Sequence, residues 1–521
     1  MLIVGLDGGT FKKLRPWLTG NDLPLLSKLY SEGCHAQLRA FLPTLSPLEW
    51  ASFYTGKSPG KLGLFALSHV EDLKNPKMAL KYGAKRVIDS TAFEADSLWK
   101  ILGDNGIRVG VVNIPATYPP EKVNGFLISG YLTPPSASDF YYPQSLEPYL
   151  QGYRVESEFE YTVDEYSIET GKLLADLLTV AERRNKAIIS ILEHERISFL
   201  ILNFKEVDTL QHVFWNDDST ILKFMKFVDQ LMNDLVEAFR PSHVIIMSDH
   251  GFHEAESECF YINTWLKEKG LLRSAGNLRG RLWVAAYRLA TELSKKSIFI
   301  RRLIEARARK SSVSGYASYQ VDLEKSDVYA SQWGIFFSEQ LRSKKEYEGC
   351  RKQLAQDLIS LRSPSGFRVF DAVYMREELF QGPYLERFPD VVPVPSSRFK
   401  VNPNMFYKTF DAKVDRPYLS GTHTSDAEGI FILHGPGVKA GVDLGTVKLT
   451  DLAPTTLYLF GLSPPQDMDG RVIEQAFTEE LTSNKRLAKI VVSDDREKER
   501  RVYSPEEQEE ITEHLRRLGY I

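Results

Sequence analysis

Cysteine is scarce: Cys34, Cys259 and Cys350 are the only three in 521 residues. They lie far apart, are odd in number and form no Cys-x-x-Cys pair. A disulfide framework, a thiolate zinc knuckle and a dithiol redox motif therefore have no material to work with. A reducing compartment fits this usage. Long apolar runs are also missing, since none approaches the ~18–20 residues needed to span a bilayer. The N-terminus, Met1-Leu2-Ile3-Val4-Gly5-Leu6-Asp7, lacks the charged region and cleavage site of a secretory leader. The expectation is a soluble cytoplasmic protein. Neither sign of charge dominates: 65 basic and 69 acidic side chains leave −4. No global field draws the chain to nucleic acid, and no such partner is expected. Internal repeats are absent as well.

What the chain does have is ordinary globular composition, 43% hydrophobic and 26% charged, enough for a large core. Short apolar, β-branched segments bounded by Gly, Pro, Asp or Asn read as strands over 2–6, 109–113, 126–129, 199–204, 243–248, 335–337 and 429–433. Helical patterns occupy 24–32, 97–105, 174–194, 220–238, 346–361 and 451–459, with loops expected over 164–172 and around Pro134-Pro135. Such alternation predicts an α/β fold: a largely parallel central sheet with helices on both faces. In such sheets ligands collect at the carboxyl ends of the strands, where Asp7 and Asp249 fall.

Composition divides the chain further. Residues 273–310 are rich in Arg and Lys and hold only two acids, Glu292 and Glu305. This reads as a basic helical insertion, 266–324, set into a discontinuous core of 1–265 and 325–480. A solvated cap is the plain account of it; a surface that guides an anionic substrate or makes peripheral contact with acidic lipid is the sharper one. The charged tail, 481–521, ends in a helix opened by Pro505-Glu506-Glu507.

Five places carry groups suited to chemistry. Asp208 and His212 are four apart, so a helix starting after 199–204 puts both on one face. An oxygen and a nitrogen donor at that spacing suit a zinc-like ion, although such pairs also arise by chance on surfaces. Asp249-His250-Gly251 follows a buried run; both side chains can converge only if the chain turns there, and Gly251 offers a permissive backbone. Asp7-Gly8-Gly9-Thr10 adds a carboxylate at a strand end. His423, in Gly421-Thr422-His423-Thr424, precedes the 429–433 strand. Ser46-Pro47 suits a first helical turn, where a hydroxyl meets free N–H groups that favour phosphate. Locally, though, the simpler role for Ser46 is that of an N-cap.

In this order, these elements resemble the alkaline phosphatase superfamily, and within it the type I phosphodiesterase/nucleotide pyrophosphatase family in its bacterial and archaeal form. The colinear matches begin at Gly5-Leu6-Asp7-Gly8-Gly9-Thr10-Phe11 and run through Ser46-Pro47 and Thr55-Gly56-Lys57-Ser58-Pro59-Gly60. They continue with Asn113-Ile114-Pro115-Ala116-Thr117-Tyr118-Pro119, the block from Asp208 to Trp215, and Ser248 to Phe252. Gly421-Thr422-His423 and Asp467-Met468-Asp469-Gly470 follow. The resemblance implies a three-layer α/β/α sandwich and a metal-dependent phosphohydrolase. It implies two divalent ions, Zn2+ foremost with Mn2+ or Fe2+ as alternatives. One would be held by Asp208, His212 and His423 and the other by Asp7, Asp249 and His250. Ser46, often Thr in relatives, aligns with the nucleophile; it would also touch the second ion and form a phosphoseryl intermediate.

One departure bears on substrate. Nucleotide pyrophosphatases use an Asn beyond the nucleophile to hold phosphate, and the helix after Ser46 offers none. Its nearest polar side chain is Glu49, a candidate substrate contact. That carboxylate would repel phosphate unless protonated, turned away or paired. A phosphate-ester small molecule is expected as substrate, diester or pyrophosphate first, with a phosphomonoesterase or phosphonate hydrolase as the alternative on the same core. A membrane-surface or partner-binding protein with an accessory metal site is the alternative from another class. A sulfatase is disfavoured, because no Cys-x-Pro-x-Arg pattern surrounds Ser46.

Overall fold

The computed structural model describes residues 1–69, 87–157, 169–274, 321–405, 408–412, 419–423, 425, 428–484, 486–492 and 502–518. Most of the basic segment 273–310 lies outside these residues, as does 158–168. The expected 164–172 loop ends early, since a helix begins at Thr170.

Among the described residues, nine strands make the central sheet: β1 (Leu2–Leu6), β2 (Cys34–Arg39), β3 (Val109–Ile114), β4 (Gly125–Ser129), β5 (Tyr141–Tyr142), β6 (Phe199–Phe204), β7 (Val244–Met247), β8 (Glu428–His434) and β9 (Val442–Lys448). Their order is β9-β2-β8-β7-β1-β6-β3-β4-β5. The β1 strand pairs in parallel with both β6 and β7, Leu2 opposite Leu200 and Val244. All five residues of β1 and all six of β6 are buried, as expected of parallel strands covered on both faces. Only β8 and β5 run against the rest: β8 is antiparallel to β2 and β7, and β5 to β4.

Helices cover both faces. Relevant here are α1 (Pro24–Glu32), α2 (Ser46–Thr55), α3 (Thr170–Leu192), α4 (Glu206–Phe214), α5 (Asp218–Phe239) and α6 (Leu452–Leu459). Two apolar clusters result, one on each side of the sheet. Val4, Leu202 and Ile246 point into one with Leu177, Phe224 and Met232; Ile3, Ile201 and Ile245 point into the other with Trp50, Phe53 and Leu457. That split is the period-two alternation of strand side chains. The C-terminal helix, Pro505–Leu518, packs Ile511 and Leu515 into the first cluster.

The strand expected at 335–337 exists, but elsewhere. Ile335–Phe337 joins Val328–Ala330, Val391–Pro395 and Phe370–Met375 in a separate antiparallel sheet. With Trp265, Leu354 and Phe399 it encloses a third core of its own.

Candidate active site

Three parallel strands, β1, β6 and β7, end side by side. Asp7 follows β1, Asp208 lies in the first turn of α4 after β6, and Asp249 stands two residues past β7. Because β8 runs the opposite way, it starts at this same edge, and His423 precedes it. Topology thus gathers residues distant in sequence at one carboxyl edge. All are deeply buried: Asp7, Asp208, Asp249 and His250 at 0%, His423 at 3%, His212 and Ser46 at 6%.

The expected helix forms over Asp208 and His212 and brings His212 Nε2 to 3.5 Å from Asp208 Oδ1. His423 Nε2 approaches the same oxygen at 3.7 Å. A tetrahedral ion with bonds of ~2 Å sets its ligand atoms roughly 3.3 Å apart, so this triangle is close to a ligand set. His250 Nε2 lies 3.4 Å from Asp249 Oδ2 and 3.9 Å from Asp7 Oδ1. The two groups abut: Asp208, Asp7 and His250 also offer ligand atoms within 4.8 Å of one another. The rings of His250 and His423 stack at 3.9 Å between centroids.

Neighbouring groups orient these donors. His212 Nδ1 lies 3.0 Å from Gly421 O, and His250 Nδ1 3.0 Å from Gly251 O. A carbonyl can only accept, so each Nδ1 carries a proton. Burial holds His212 below an ordinary imidazole and leaves its Nε2 lone pair inward, whereas at His250 burial is outweighed by the Asp249, Asp7 and Asp208 carboxylates, which raise it. Asp7 Oδ2 accepts from Asn203 Nδ2 at 2.7 Å, and Gln211 Nε2 donates to Gly8 O at 2.9 Å. Asp208 Oδ1 and Asp249 Oδ2 are buried with no hydrogen-bond partner among the described residues. Buried carboxylate oxygens are costly to leave so, and these two face imidazoles as metal ligands do. The donor set fits divalent ions.

Electrostatics agree. Burial and then the Asp249 charge push the Asp7 carboxyl up to about 8, the response of a carboxylate among carboxylates. Burial would also raise Asp208, but the Lys205 ammonium and the imidazoles outweigh it and hold Asp208 well below the usual range. Burial holds His423 well below an ordinary imidazole, favouring the neutral form that binds metal.

Ser46 is not an N-cap. Leu45 takes that position with extended backbone, and Ser46 is the first helical residue of α2. Its Oγ donates to Asp7 Oδ1 at 3.2 Å and lies 3.2 Å from His250 Nε2. Thr44 Oγ1 donates to His423 O at 2.5 Å, fixing the loop ahead of Ser46 to the opposite side of the site. Glu49 is not brought into this cluster. It is fully buried, and its two oxygens accept the Phe41 N–H at 3.1 and 3.0 Å. Burial raises its pKa well above the ordinary value. Its carboxyl braces the loop ahead of Ser46, turned away from the cluster, and the raised pKa favours its protonated form as well. Gly251 does not supply the permissive turn; the left-handed residue of the site is Gly8, at φ 66°.

Sequence reasoning missed Asn203, Lys205 and Gln211. A signal existed for each: Asn203 interrupts an apolar strand one residue before its end, Lys205 follows that strand, and Gln211 is one helical turn from Asp208.

Comparison with known proteins agrees with this geometry. Residues 1–426 match the model of the type I phosphodiesterase/nucleotide pyrophosphatase family. No curated protein matches the sequence. Among solved structures, human ectonucleotide pyrophosphatase/phosphodiesterase 5 superposes with a TM-score of 0.52 at 15% identity, over 92% of this chain and 99% of that one. An inactive form of the murine protein in complex with AMP gives 0.51 at 15%, with the same coverage. Phosphonoacetate hydrolase from Sinorhizobium meliloti, in complex with phosphonoacetate, gives 0.54 at 15%, over 87% and 93% of the two chains. At such identity these likenesses establish a shared fold.

Proposed function

The chain belongs to the type I phosphodiesterase/nucleotide pyrophosphatase family, a family of metal-dependent phosphohydrolases, and on that basis we propose that Ser46 is its nucleophile. In this reading the substrate is a phosphate ester, diester or pyrophosphate first. Asp208, His212 and His423 hold one divalent ion; Asp7, Asp249 and His250 hold the other, with Ser46 Oγ beside it. Zn2+ suits these N and O donors best, with Mn2+ or Fe2+ as alternatives. Bound there, the ions supply Lewis-acid polarisation of phosphoryl oxygens and a lowered hydroxyl pKa. The observation that carries the reading is the position of Ser46 Oγ, 3.2 Å from both Asp7 Oδ1 and His250 Nε2.

The protein's own groups then act as follows. Asp7 accepts the Ser46 hydroxyl hydrogen and fixes its rotamer, leaving the Oγ lone pairs for phosphorus. The start of α2 sets a partial positive charge at the nucleophile, favourable to an incoming phosphoryl group. Phe252, fully buried with its ring 4.9 Å from that of His212 and 5.6 Å from that of His423, packs an apolar surface against both imidazoles. Ser46 Oγ attacks phosphorus in line, the leaving alcohol departs, and water hydrolyses the seryl ester.

The test is hydrolysis of bis-p-nitrophenyl phosphate by the purified protein. Turnover is expected, lost on chelation and restored by a divalent ion. Turnover that persists unchanged after the metals have been removed and assayed as absent contradicts the reading.

A further inference from the structure

Lys205 is the residue just after β6, immediately before α4. Its Nζ pairs with Asp208 Oδ2, leaving Oδ1 to the imidazoles. The Asp208 side chain is fully buried and that of Lys205 is only 11% exposed, so the pair is largely shielded from solvent. The Tyr131 ring, centred 5.3 Å from Nζ, flanks it. Its charge is felt by Asp7, Asp208, His212 and His423 alike. The cation is therefore held at the metal cluster by the backbone that carries Asp208.

Charge balance gives this position a consequence. Asp7, Asp208 and Asp249 together carry three negative charges, and two divalent ions over-compensate them by one. A phosphodiester is a monoanion and matches that surplus. A phosphomonoester is a dianion above its second pKa, near 6 for a phosphate group, and needs a second positive charge. The intermediates differ likewise: a seryl phosphate from a monoester is dianionic, whereas one from a diester keeps its ester group and a single charge.

We propose that Lys205 supplies this second charge, so that the site takes phosphomonoesters as substrates as well as diesters. The proposal rests on the phosphohydrolase reading above and extends its substrate class. The step balances: Ser46 Oγ bonds to phosphorus, the phosphorus–oxygen ester bond breaks, and the serine proton ends on the leaving alcohol. Water then returns the Ser46 hydroxyl and releases inorganic phosphate.

A role confined to holding Asp208 would affect both substrates equally, so the test is a ratio. The kcat/KM values for p-nitrophenyl phosphate and bis-p-nitrophenyl phosphate are compared in wild type, Lys205→Met and Lys205→Arg, with metal content checked by elemental analysis. The monoester-to-diester ratio is expected to fall at least about tenfold in Lys205→Met and to stay within about threefold in Lys205→Arg. Calorimetric binding of inorganic phosphate, itself largely dianionic at neutral pH, is expected to weaken about tenfold or more in Lys205→Met. An unchanged ratio, or equal losses on both esters with phosphate binding intact, overturns the proposal. Cleavage of neither ester by the metal-loaded wild type overturns the phosphohydrolase reading, and this proposal with it.

Discussion

Asp249 accepts the backbone N–H of Gly8 through Oδ1 at 3.1 Å, which leaves Oδ2 facing His250 Nε2 at 3.4 Å. One carboxylate thus ties the end of β7 to the end of β1 and still presents an oxygen to the site. The contact depends on the left-handed backbone of Gly8, φ 66°, where an added Cβ would meet Phe252 at 3.0 Å. Gly8→Ala is therefore expected to lower stability by about 1–2 kcal/mol, with reduced metal content. Urea denaturation and elemental analysis measure the two effects.

Chelation should lower the melting temperature. Without ions, three carboxylates are left buried, and burial first and the Asp249 charge second raise Asp7. An ion present at ~100 times its Kd contributes about 2.7 kcal/mol to the folded state. The expected result is a fall of a few degrees with EDTA, reversed by excess Zn2+ or Mn2+; an unchanged Tm would count against bound ions.

The helix bearing Asp208 and His212 is held from behind. Arg184 Nη1, on α3, pairs with Glu206 Oε2 of α4 at 2.8 Å, and the two side chains are 0% and 2% exposed. Removing one partner leaves a buried charge uncompensated. Arg184→Met is expected to cost about 3–5 kcal/mol by urea denaturation. A loss below about 1 kcal/mol would mean that the pair does not brace α4.

Glu49 predicts a pH effect of definite sign. Burial raises its folded-state pKa well above the ordinary 4.5. A folded state that binds the proton more tightly has its advantage below the unfolded pKa and loses it as pH rises through the folded one. Glu49→Gln cannot ionise and should escape that loss. Its stability relative to wild type is expected to increase from mildly acidic to neutral pH in parallel denaturation curves; a constant difference would show that Glu49 does not titrate there.

Much of this molecule was legible in the sequence, and the gaps have physical causes. The apolar runs of β1 and β6 left little choice but buried parallel strands, and Asp208 and His212 formed the expected helical pair. The β2 strand was hidden by polar letters: His35 is buried there, but against the Tyr30 ring at 4.0 Å, a partner no local pattern reveals. Ile335–Phe337 shows that three apolar residues announce a strand but not the sheet it joins. Ser46 looked like a cap because local sequence omits Asp7 and His250, which arrive from 39 and 204 residues away. Glu49 was a candidate substrate contact as the nearest polar side chain on the helix after Ser46; its actual partner is the Phe41 backbone N–H, eight residues away, which no side-chain pattern displays.

The position of Ser46 among Asp7 and His250 is tested most directly by Ser46→Ala, assayed on bis-p-nitrophenyl phosphate with elemental analysis of the same sample. About two divalent ions per chain, as in wild type, are expected, with turnover lower by at least ~10³-fold. Turnover at the wild-type rate in a metal-loaded Ser46→Ala protein would contradict that expectation.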